Sequence, residues 1–370
     1  PREKAMTVPQ LLMTGFPGFL GSALLPRLLA RRPDVEAVCL VQPRHAALAR
    51  SRVKELEVTD PATTGRVRLA LGDVTVPGLG LDEAERERLD DVSEVWHLAA
   101  VYDLAVPPEV ARRVNVDGTV NVLAFSRAQP GLRRFQYVST CYVSGRHEGL
   151  FKEDSLEEGQ VFRNHYEETK YEAEVLVRAA MGEGLPATVY RPGIVVGDSA
   201  TGATQKYDGP YFLATFLRRQ PRLALVPKLG DADRVRVCLV PRDFVVDAMD
   251  ELSVLDRSEG RTYALVDPDP PTAREVVTRF ADVLGKRVLW VPLPLHPVHA
   301  LVDRVPGAEA VLGLPAEALD YFASPTTYAT DHTTTDLAAS GVTCPRFADY
   351  AERLLDFMRA HPEYGAHAMT

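Results

Sequence analysis

A tyrosine and a lysine stand four residues apart in the stretch from Asn164 to Glu174. The stretch has a helical composition, and residues four apart share one helical face, so Tyr166 and Lys170 are predicted to be neighbours. A phenol ordinarily titrates near ~10, and a neighbouring ammonium is expected to lower the pKa of Tyr166. Such a tyrosine can exchange a proton with a carbonyl oxygen. Amphipathic helices also produce this spacing by chance, so the pair needs support from elsewhere in the chain.

A glycine-rich segment near the N-terminus gives that support. A short apolar run is followed by the residues Thr14, Gly15, Gly18, Phe19, Leu20 and Gly21, and then by an apolar-periodic helix. Strand, tight turn and helix in that order are the setting that a dinucleotide-binding loop requires. Gly15 is expected to permit the turn, Gly18 to let backbone N–H groups approach a pyrophosphate, and Gly21 to let the helix pack closely. The alternative is a glycine-rich connection that binds nothing.

Length and composition exclude several classes of protein. The chain has 370 residues, of which 46% are hydrophobic and 25% charged, and a net charge of −9. These values favour a globular nucleotide-binding core with a smaller appended part, and they argue against a nucleic-acid binder. No apolar run approaches the ~20 residues of a transmembrane helix. Four scattered cysteines and the lack of a signal-peptide pattern favour the cytoplasm. The nine histidines show no paired spacing, so no metal site is predicted.

Strand-like and helical segments alternate through the first half of the chain. Strands are predicted at Gln10–Met13, Val35–Val41, Val67–Leu71, Val92–Leu98, Arg134–Ser139 and Ala187–Tyr190, and helices at Phe19–Arg31, Ala46–Glu57, Glu109–Ala128 and Tyr166–Glu183. Such alternation predicts an α/β fold, a Rossmann-type doubly wound parallel sheet with a smaller C-terminal substrate-binding region. We assign residues 1–200, rejoined by about 236–258, to the dinucleotide-binding domain, and residues 201–235 and 259–370 to the substrate-binding region. An amphipathic helix from Phe347 to His361 is expected to dock on the surface.

Together these segments resemble the extended short-chain dehydrogenase/reductase family, whose members share the G-x-x-G-x-x-G spacing. The chain is most similar to its fatty acyl-CoA reductase and thioester reductase branch, which includes the reductase domains of carboxylic acid reductases. The supporting segments are Thr14–Gly21, Leu40–Gln42, Gly72–Val74, Val95–Ala100, Asn115–Thr119, Val138–Thr140, the Tyr166/Lys170 pair, Tyr190–Asp198 and Leu239–Ala248. Two features depart from the branch: Phe16-Pro17 replaces its usual Ala-Thr, and Gln42 replaces its usual arginine.

The resemblance implies roles for particular residues. Thr140 is expected to hydrogen-bond the substrate carbonyl oxygen beside Tyr166, and Lys170 to bind the nicotinamide ribose as well. Ser139 is the alternative hydroxyl, but it should point to the other side of the strand. His97 is expected to be structural. The further residues counted as cofactor contacts are Asp73, Val74, Ala99, Ala100, Asn115, Pro192, Gly193 and Val195. A turn-forming role is the alternative for Asp73.

The end of the second predicted strand indicates which nicotinamide cofactor binds. The residues after Val41 include no carboxylate, which an NAD-specific enzyme would place against the ribose hydroxyls. Arg44, and second to it Arg52, are cations suited to a 2′-phosphate, so NADP(H) is the predicted cofactor. The alternative is a set of solvent-exposed arginines, which is our interpretation of Arg50.

The resemblance implies an NADPH-dependent enzyme that reduces an acyl thioester, on CoA or a carrier protein, to an aldehyde or further to an alcohol. The alternatives are another extended short-chain enzyme, either a ketone or hydroxysteroid oxidoreductase or a nucleotide-sugar epimerase, and a non-catalytic dinucleotide-binding protein. The aromatic residues between Tyr207 and Phe216 predict either a lid over an apolar chain or ordinary core packing. Arg218, Arg219, Arg222 and Lys228 suit CoA phosphates or an acidic carrier, or else form a solvated surface.

Overall fold

The computed structural model describes residues 8–89, 92–102, 106–228, 231–292, 324 and 326–365. The strands are β1 (Gln10–Thr14), β2 (Glu36–Val41), β3 (Val67–Leu71), β4 (Val92–His97), β5 (Arg134–Val138), β6 (Gly149–Phe151), β7 (Ala187–Pro192), β8 (Ile194–Val196), β9 (Leu223–Lys228), β10 (Leu239–Pro241), β11 (Thr262–Leu265), β12 (Arg287–Pro292) and β13 (Thr326–Tyr328). The helices are α1 (Phe19–Arg31), α2 (Ala46–Thr59), α3 (Glu83–Arg88), α4 (Pro108–Ala111), α5 (Gly118–Arg127), α6 (His165–Gly182), α7 (Pro210–Arg219), α8 (Arg242–Ser253), α9 (Ala273–Val283), α10 (Asp331–Leu337) and α11 (Phe347–Ala360). A π-helical turn, Arg112–Asp117, joins α4 to α5.

Seven parallel strands form the central sheet, in the order β3-β2-β1-β4-β5-β7-β11. The chain moves outward in one direction from β1 to β3 and in the other from β4 to β11, so the predicted doubly wound α/β fold is confirmed. Ligands of such sheets bind outside the carboxyl ends of the strands where the order reverses. Here that point lies between β1 and β4, where Thr14 pairs with His97.

The helix that was predicted to rejoin the core, α8, packs beside α1 on one face of the sheet. Both helices bury an apolar stripe that includes Leu25 and Met249, and ion pairs cross their exposed edge. In one of these pairs Arg31 Nε lies 2.8 Å from Asp250 Oδ2. Helix α1 therefore packs against both the sheet and α8, and this packing fixes the helix that follows the glycine loop.

The seventh strand corrects the predicted domain boundary. Residues 259–370 were assigned to the substrate-binding region, but β11 pairs with β7 in the central sheet. Helix α10 is fastened to this strand by Asp336, which accepts a hydrogen bond of 2.6 Å from the Tyr263 hydroxyl. The strand has only four residues in a context rich in proline and glycine, so periodicity did not reveal it. Its affinity for the sheet comes from tertiary packing, such as the stacking of Tyr263 on Tyr190.

A smaller lobe stands beside the carboxyl edge of the sheet. It is built from α7, α9 and α11 and from the parallel pair β9 and β12. The C-terminal helix α11 is more than a surface attachment, which corrects the expectation from its sequence. Phe347, Tyr350 and Leu354 are buried and belong to the core of this lobe. Within the described residues, none of the helices combines the length and the apolar character that crossing a bilayer would require.

Candidate active site

The glycine loop between β1 and α1 is built around one carbonyl group. Gly15 has a φ of +86°, in the left-handed region that favours glycine. A Cβ at Gly18 would lie 2.6 Å from the Gly15 carbonyl oxygen, and a Cβ at Gly21 would lie 2.9 Å from it. The Gly18 N–H donates a hydrogen bond of 2.9 Å to the same oxygen. The structure thus adds a reason for these glycines: they keep the loop folded tightly on itself.

The N-terminus of α1 is open to an anion. No described side chain caps this helix, and its first turn, which begins with Phe19 and Leu20, carries no carboxylate. The backbone N–H groups of such a turn lack helical partners and carry partial positive charge. A thirteen-residue helix behind a glycine loop, at the point where the strand order reverses, fits the pyrophosphate of a dinucleotide.

Thr14, at the start of the glycine loop, makes its side-chain hydrogen bonds within the protein. Its side chain is buried, and its hydroxyl oxygen accepts hydrogen bonds of 3.1 Å from the backbone N–H groups of Leu98 and Ala99. A further bond of 2.8 Å joins it to Nδ1 of His97. Thr14 therefore ties the ends of β1 and β4 together. Burial, and secondarily the charge of Lys170, lowers the pKa of His97 to about 3, so this histidine is neutral and has the expected structural role.

Three polar side chains form a row at the carboxyl end of β2. Arg44 Nε donates to Gln42 Oε1 at 2.8 Å, and Gln42 Nε2 donates to Asp73 Oδ2 at 2.9 Å. Burial opposes ionisation of Asp73, but hydrogen bonds from Thr75 and Gln42 and the charge of Arg44 lower its pKa. Gln42 thus positions the arginine beside the strand end. Asp73 also accepts the Thr75 N–H at 2.8 Å, as its alternative turn-forming role requires.

The side chains of two other predicted cofactor residues, Arg52 and Val74, contact other parts of the protein. Arg52 forms an ion pair of 2.8 Å with Glu55, one helical turn along α2. Val74 is buried, and a Cβ at Gly118 would lie 3.1 Å from its Cγ2 atom. The side chain of Val74 therefore packs on α5.

Thr140 and Tyr166 meet at the carboxyl end of β5. The Thr140 hydroxyl lies close enough to the phenol of Tyr166 to lower the pKa of this tyrosine, and it accepts the Tyr142 N–H at 3.3 Å. Ser139, its neighbour, turns to the other side and donates a hydrogen bond of 2.6 Å to Glu174. The structure therefore brings Thr140, rather than Ser139, to Tyr166, as the alternation of side chains along a strand requires.

The pKa of Tyr166 differs from the expectation. Burial raises this pKa, and the Thr140 hydroxyl offsets only part of the effect. The expectation of a lowered pKa assumed that the Lys170 ammonium would face the phenol. Instead, Lys170 Nζ donates to the Tyr137 hydroxyl at 2.9 Å and to the Val138 carbonyl oxygen at 2.8 Å. The two residues share α6, as predicted, but the amine is held against β5.

The pKa of Lys170 lies near neutral pH. Its side chain is buried, and burial lowers its pKa to about 7, although the negative charge of Glu174 opposes this shift. Lys170 can therefore change its protonation state in the range where most enzymes work, which is the behaviour expected of a group that participates in proton transfer.

A buried ion pair beneath the site was missed from the sequence. Arg191 Nη2 lies 2.7 Å from Glu174 Oε1, and both side chains are buried. Because Glu174 also accepts from Ser139, the pair joins the ends of β5 and β7 to α6. Glu174 stands four residues after Lys170, so continuing the Tyr166–Lys170 face by one more turn would have found it.

The side chain of Asn115, predicted as a cofactor contact, forms its hydrogen bonds within the protein. Its Oδ1 accepts the Val101 N–H at 2.9 Å, and its Nδ2 donates to the Val101 carbonyl oxygen at 3.1 Å and to Thr169 Oγ1 at 3.0 Å. The residue lies in the π-helical turn, a distortion that often marks functional sites. It links the segment after Ala99 and Ala100 to α6, and in this way it helps to position the site.

The predicted nicotinamide segment lies between two strands. The Gly193 N–H donates to the Leu265 carbonyl oxygen at 3.1 Å, and a Cβ at Gly193 would lie 2.4 Å from the Cys238 carbonyl oxygen. Only glycine permits this close approach. Pro192 ends β7, and half-buried Val195 pairs with Val240 in the small sheet of β8 and β10. The backbone from residue 192 to 195 is thereby fixed at the carboxyl edge of the central sheet.

The smaller lobe reaches the site through the segment before α7. Lys206 Nζ lies 3.9 Å from the ring centroid of Tyr102, and Lys206 also pairs with Asp208. Tyr102 is close enough to influence the pKa of Tyr166. By contrast, Tyr211 and Phe216 are buried in the core of the small lobe, which favours the packing interpretation of the aromatic segment.

The sequence profile of an NAD-binding family described as "Male sterility protein" matches residues 13–249. The chain belongs to this family. It is an NAD(P)-dependent oxidoreductase of the extended short-chain dehydrogenase/reductase type, as the glycine loop and the Thr140–Tyr166 site predict. Among the described residues, no three His, Cys, Asp or Glu side chains are grouped so that they could hold a metal ion.

The terminal R domain from the myxalamid PKS-NRPS biosynthetic pathway has a similar structure, with a TM-score of 0.82 and 28% identity over 96% of this chain and 92% of that one. Glycine betaine reductase ATRR of Emericella nidulans is 31% identical over 72% of the chain. The isonitrile lipopeptide synthase of Streptomyces coeruleorubidus is 29% identical over 95% of the chain. The chain spans only 21% and 24% of the lengths of these two relatives.

Proposed function

We propose that this chain is an NADPH-dependent reductase that converts an acyl thioester, carried by CoA or by a carrier protein, to an aldehyde. A second reduction would give the alcohol. The observation that carries the proposal is the likeness to the terminal R domain, which extends over both lobes at 28% identity. The substrate side of the molecule is thus shared with a reductase-type relative, in addition to the nucleotide-binding sheet that many short-chain enzymes have in common.

Thr140 and Tyr166 are the groups that would act on the substrate carbonyl. Both can hydrogen-bond its oxygen, and such donors stabilise the negative charge that develops there. Because burial raises the pKa of Tyr166, the phenol keeps its proton at neutral pH and can donate it in the reductive direction. When bound, the reduced nicotinamide supplies the hydride that adds to the carbonyl carbon. The protonated hemithioacetal then loses its thiol, and an aldehyde remains.

The glycine loop and the N-terminus of α1 would hold the pyrophosphate, and the backbone at Pro192 and Gly193 would adjoin the carboxamide. Arg44 is the proposed ligand of the 2′-phosphate, because Gln42 already holds it at the end of β2. Arg52, which Glu55 neutralises, is the second candidate. The cofactor assignment thus depends on a single exposed cation next to Asp73.

The test of this function is a comparison of substrate classes. The purified chain is incubated with NADPH and acyl-CoAs, acyl-pantetheines, ketones or sugar nucleotides, and the products are identified by mass spectrometry. We expect turnover on the thioesters with an aldehyde or alcohol as product. Turnover confined to ketones or to sugar nucleotides would reject the proposal while leaving the oxidoreductase assignment in place.

A further inference from the structure

A connected group of buried polar side chains lies between the catalytic lysine and the glycine loop. It consists of Thr14, His97, Thr119, Tyr137 and Lys170, each at most 3% exposed. Lys170 bonds the Tyr137 hydroxyl, Tyr137 lies close to Thr119, Thr119 bonds His97, and His97 bonds Thr14. Buried groups of this kind must satisfy every donor and acceptor internally, so the direction of each hydrogen bond can be worked out.

The direction is set at Thr119. Its hydroxyl donates its one proton to the Asn115 carbonyl oxygen at 2.6 Å. Toward His97 it can therefore only accept, so His97 carries its proton on Nε2, 3.0 Å from Thr119 Oγ1. His97 Nδ1 then accepts from Thr14, whose oxygen is free to accept the two backbone N–H groups that it meets. All these groups are satisfied when His97 is neutral.

The Tyr137 hydroxyl is the acceptor in its bond to Lys170. Lys170 Nζ donates to the Tyr137 oxygen at 2.9 Å, and a protonated amine has no lone pair with which to accept. The Val138 carbonyl oxygen is likewise an obligatory acceptor. Two positions of the Lys170 amine are thus donors of fixed direction. Because the Thr119 hydroxyl donates to the Asn115 carbonyl oxygen, it passes no proton between Tyr137 and His97, and the group holds its members in place.

We propose that Tyr137 is a positioning residue for the reaction: it orients the Lys170 amine so that its remaining tetrahedral position faces the cleft. This inference rests on the proposed function and on the expectation that Lys170 binds the nicotinamide ribose. The charged and titratable groups around the amine are Glu174 and Tyr166 on α6, Tyr137 on β5 and the neutral His97 on β4. Of these, Tyr137 supplies a direct hydrogen bond to the amine that is independent of substrate and cofactor.

The test is Tyr137→Phe, which keeps the ring and removes the acceptor. A hydrogen bond to a charged group typically accounts for about 10- to 100-fold, so we expect kcat to fall by about that factor. The alkaline limb of the kcat–pH profile should also move to lower pH, because the protonated amine loses an acceptor. Tyr190→Phe is the matched control: it removes another buried hydroxyl from the same sheet, one bonded to Gln136 at 2.8 Å, away from Lys170.

Two variants of Thr119 test the same contact from its other side. Thr119→Val removes the hydroxyl that lies beside Tyr137, and it should reproduce the kcat loss and the pH shift in weaker form. Thr119→Ser restores the hydroxyl and should recover most of that loss. Wild-type kcat and pH profile in Tyr137→Phe and Thr119→Val, or equal changes in Tyr190→Phe, would overturn the inference. Full turnover by Lys170→Ala would instead reject the role expected of Lys170 in the site.

Discussion

At the scale of single residues, the proposed chemistry is concentrated where β5 meets α6. Thr140 lies close to the phenol of Tyr166, whereas Lys170 is held by β5. The sequence supplied the identity and the helical spacing of these residues. It could not supply the rotamer of Lys170 or the burial of the phenol, because both depend on Tyr137 and on the strands that cover the site. The direction of the pKa shift of Tyr166 could therefore not be predicted from the sequence.

The first prediction concerns Tyr166→Phe. The substitution removes the proton donor and leaves the ring, so we expect kcat to fall by about 10²- to 10⁴-fold. Dinucleotide affinity, measured by calorimetry, should stay close to that of the wild type. Tyr171→Phe is the control, because Tyr171 is the next tyrosine on α6 and packs on Phe162. Near wild-type kcat in Tyr166→Phe would show that another group protonates the product.

Arg44 is the residue on which coenzyme choice is predicted to depend. Arg44→Ala should weaken NADPH binding by about 10- to 100-fold, the usual effect of losing a charge-assisted hydrogen bond. NADH binding should change little, since NADH lacks the 2′-phosphate. Arg50→Ala, an exposed arginine on α2, serves as the control. A wild-type preference for NADH that Arg44→Ala leaves unaltered would contradict the assignment of NADPH.

His97 is predicted to make stability depend on pH. Its pKa is near 6.5 in the unfolded chain and lowered to about 3 by burial in the folded protein. The unfolded state therefore binds the proton first as the pH falls below 6.5, and stability is lost at up to about 1.4 kcal/mol per pH unit down to about 3. Denaturant unfolding of His97→Gln should show a shallower decrease between pH 6.5 and 4. An unchanged slope would mean that other groups cause the acid sensitivity.

At the scale of elements, the regular alternation of strands and helices made the first six strands of the sheet predictable. Helix α1 begins and ends where its sequence pattern indicates, at Phe19 and Arg31. Strand β11 and the π-helical turn were not predicted, because neither has a periodicity of its own. Their conformations are imposed by partners distant in the sequence: Tyr190 beside Tyr263, and Val101 and Thr169 around Asn115.

The glycine loop is an element that is sensitive to small changes. A methyl group at Gly18 would meet the Gly15 carbonyl oxygen at 2.6 Å, so Gly18→Ala must displace that carbonyl or the start of α1. Overpacking of this kind costs about 1–3 kcal/mol, and we expect dinucleotide affinity to fall about 10-fold or more. Gly182→Ala, at the end of α6, is the control, since a Cβ there meets nothing within 4 Å. Undiminished affinity in folded Gly18→Ala would remove the loop from the binding site.

At the scale of the whole molecule, the central sheet and the smaller lobe have separate cores that meet at the carboxyl edge of the sheet. Seven parallel strands with an uncapped α1 account for binding a dinucleotide, which many members of the family do. We expect the choice of substrate to depend on the smaller lobe and on the segment around Lys206 that approaches Tyr102. The central claim, that the substrate is a thioester, therefore concerns the part of the molecule that sequence patterns describe least.

The most direct measurement of this claim is the ratio of thiol released to NADPH consumed. Reduction of a thioester must expel one thiol per acyl group, because the hemithioacetal has a leaving group that a ketone lacks. With an acyl-CoA or acyl-pantetheine as substrate, thiol is followed with a chromogenic disulfide while NADPH is followed by absorbance. We expect one thiol per NADPH if the product is the aldehyde, or one per two NADPH if it is the alcohol. Steady NADPH oxidation on a ketone or sugar nucleotide, with no thiol released from any thioester, would contradict the account.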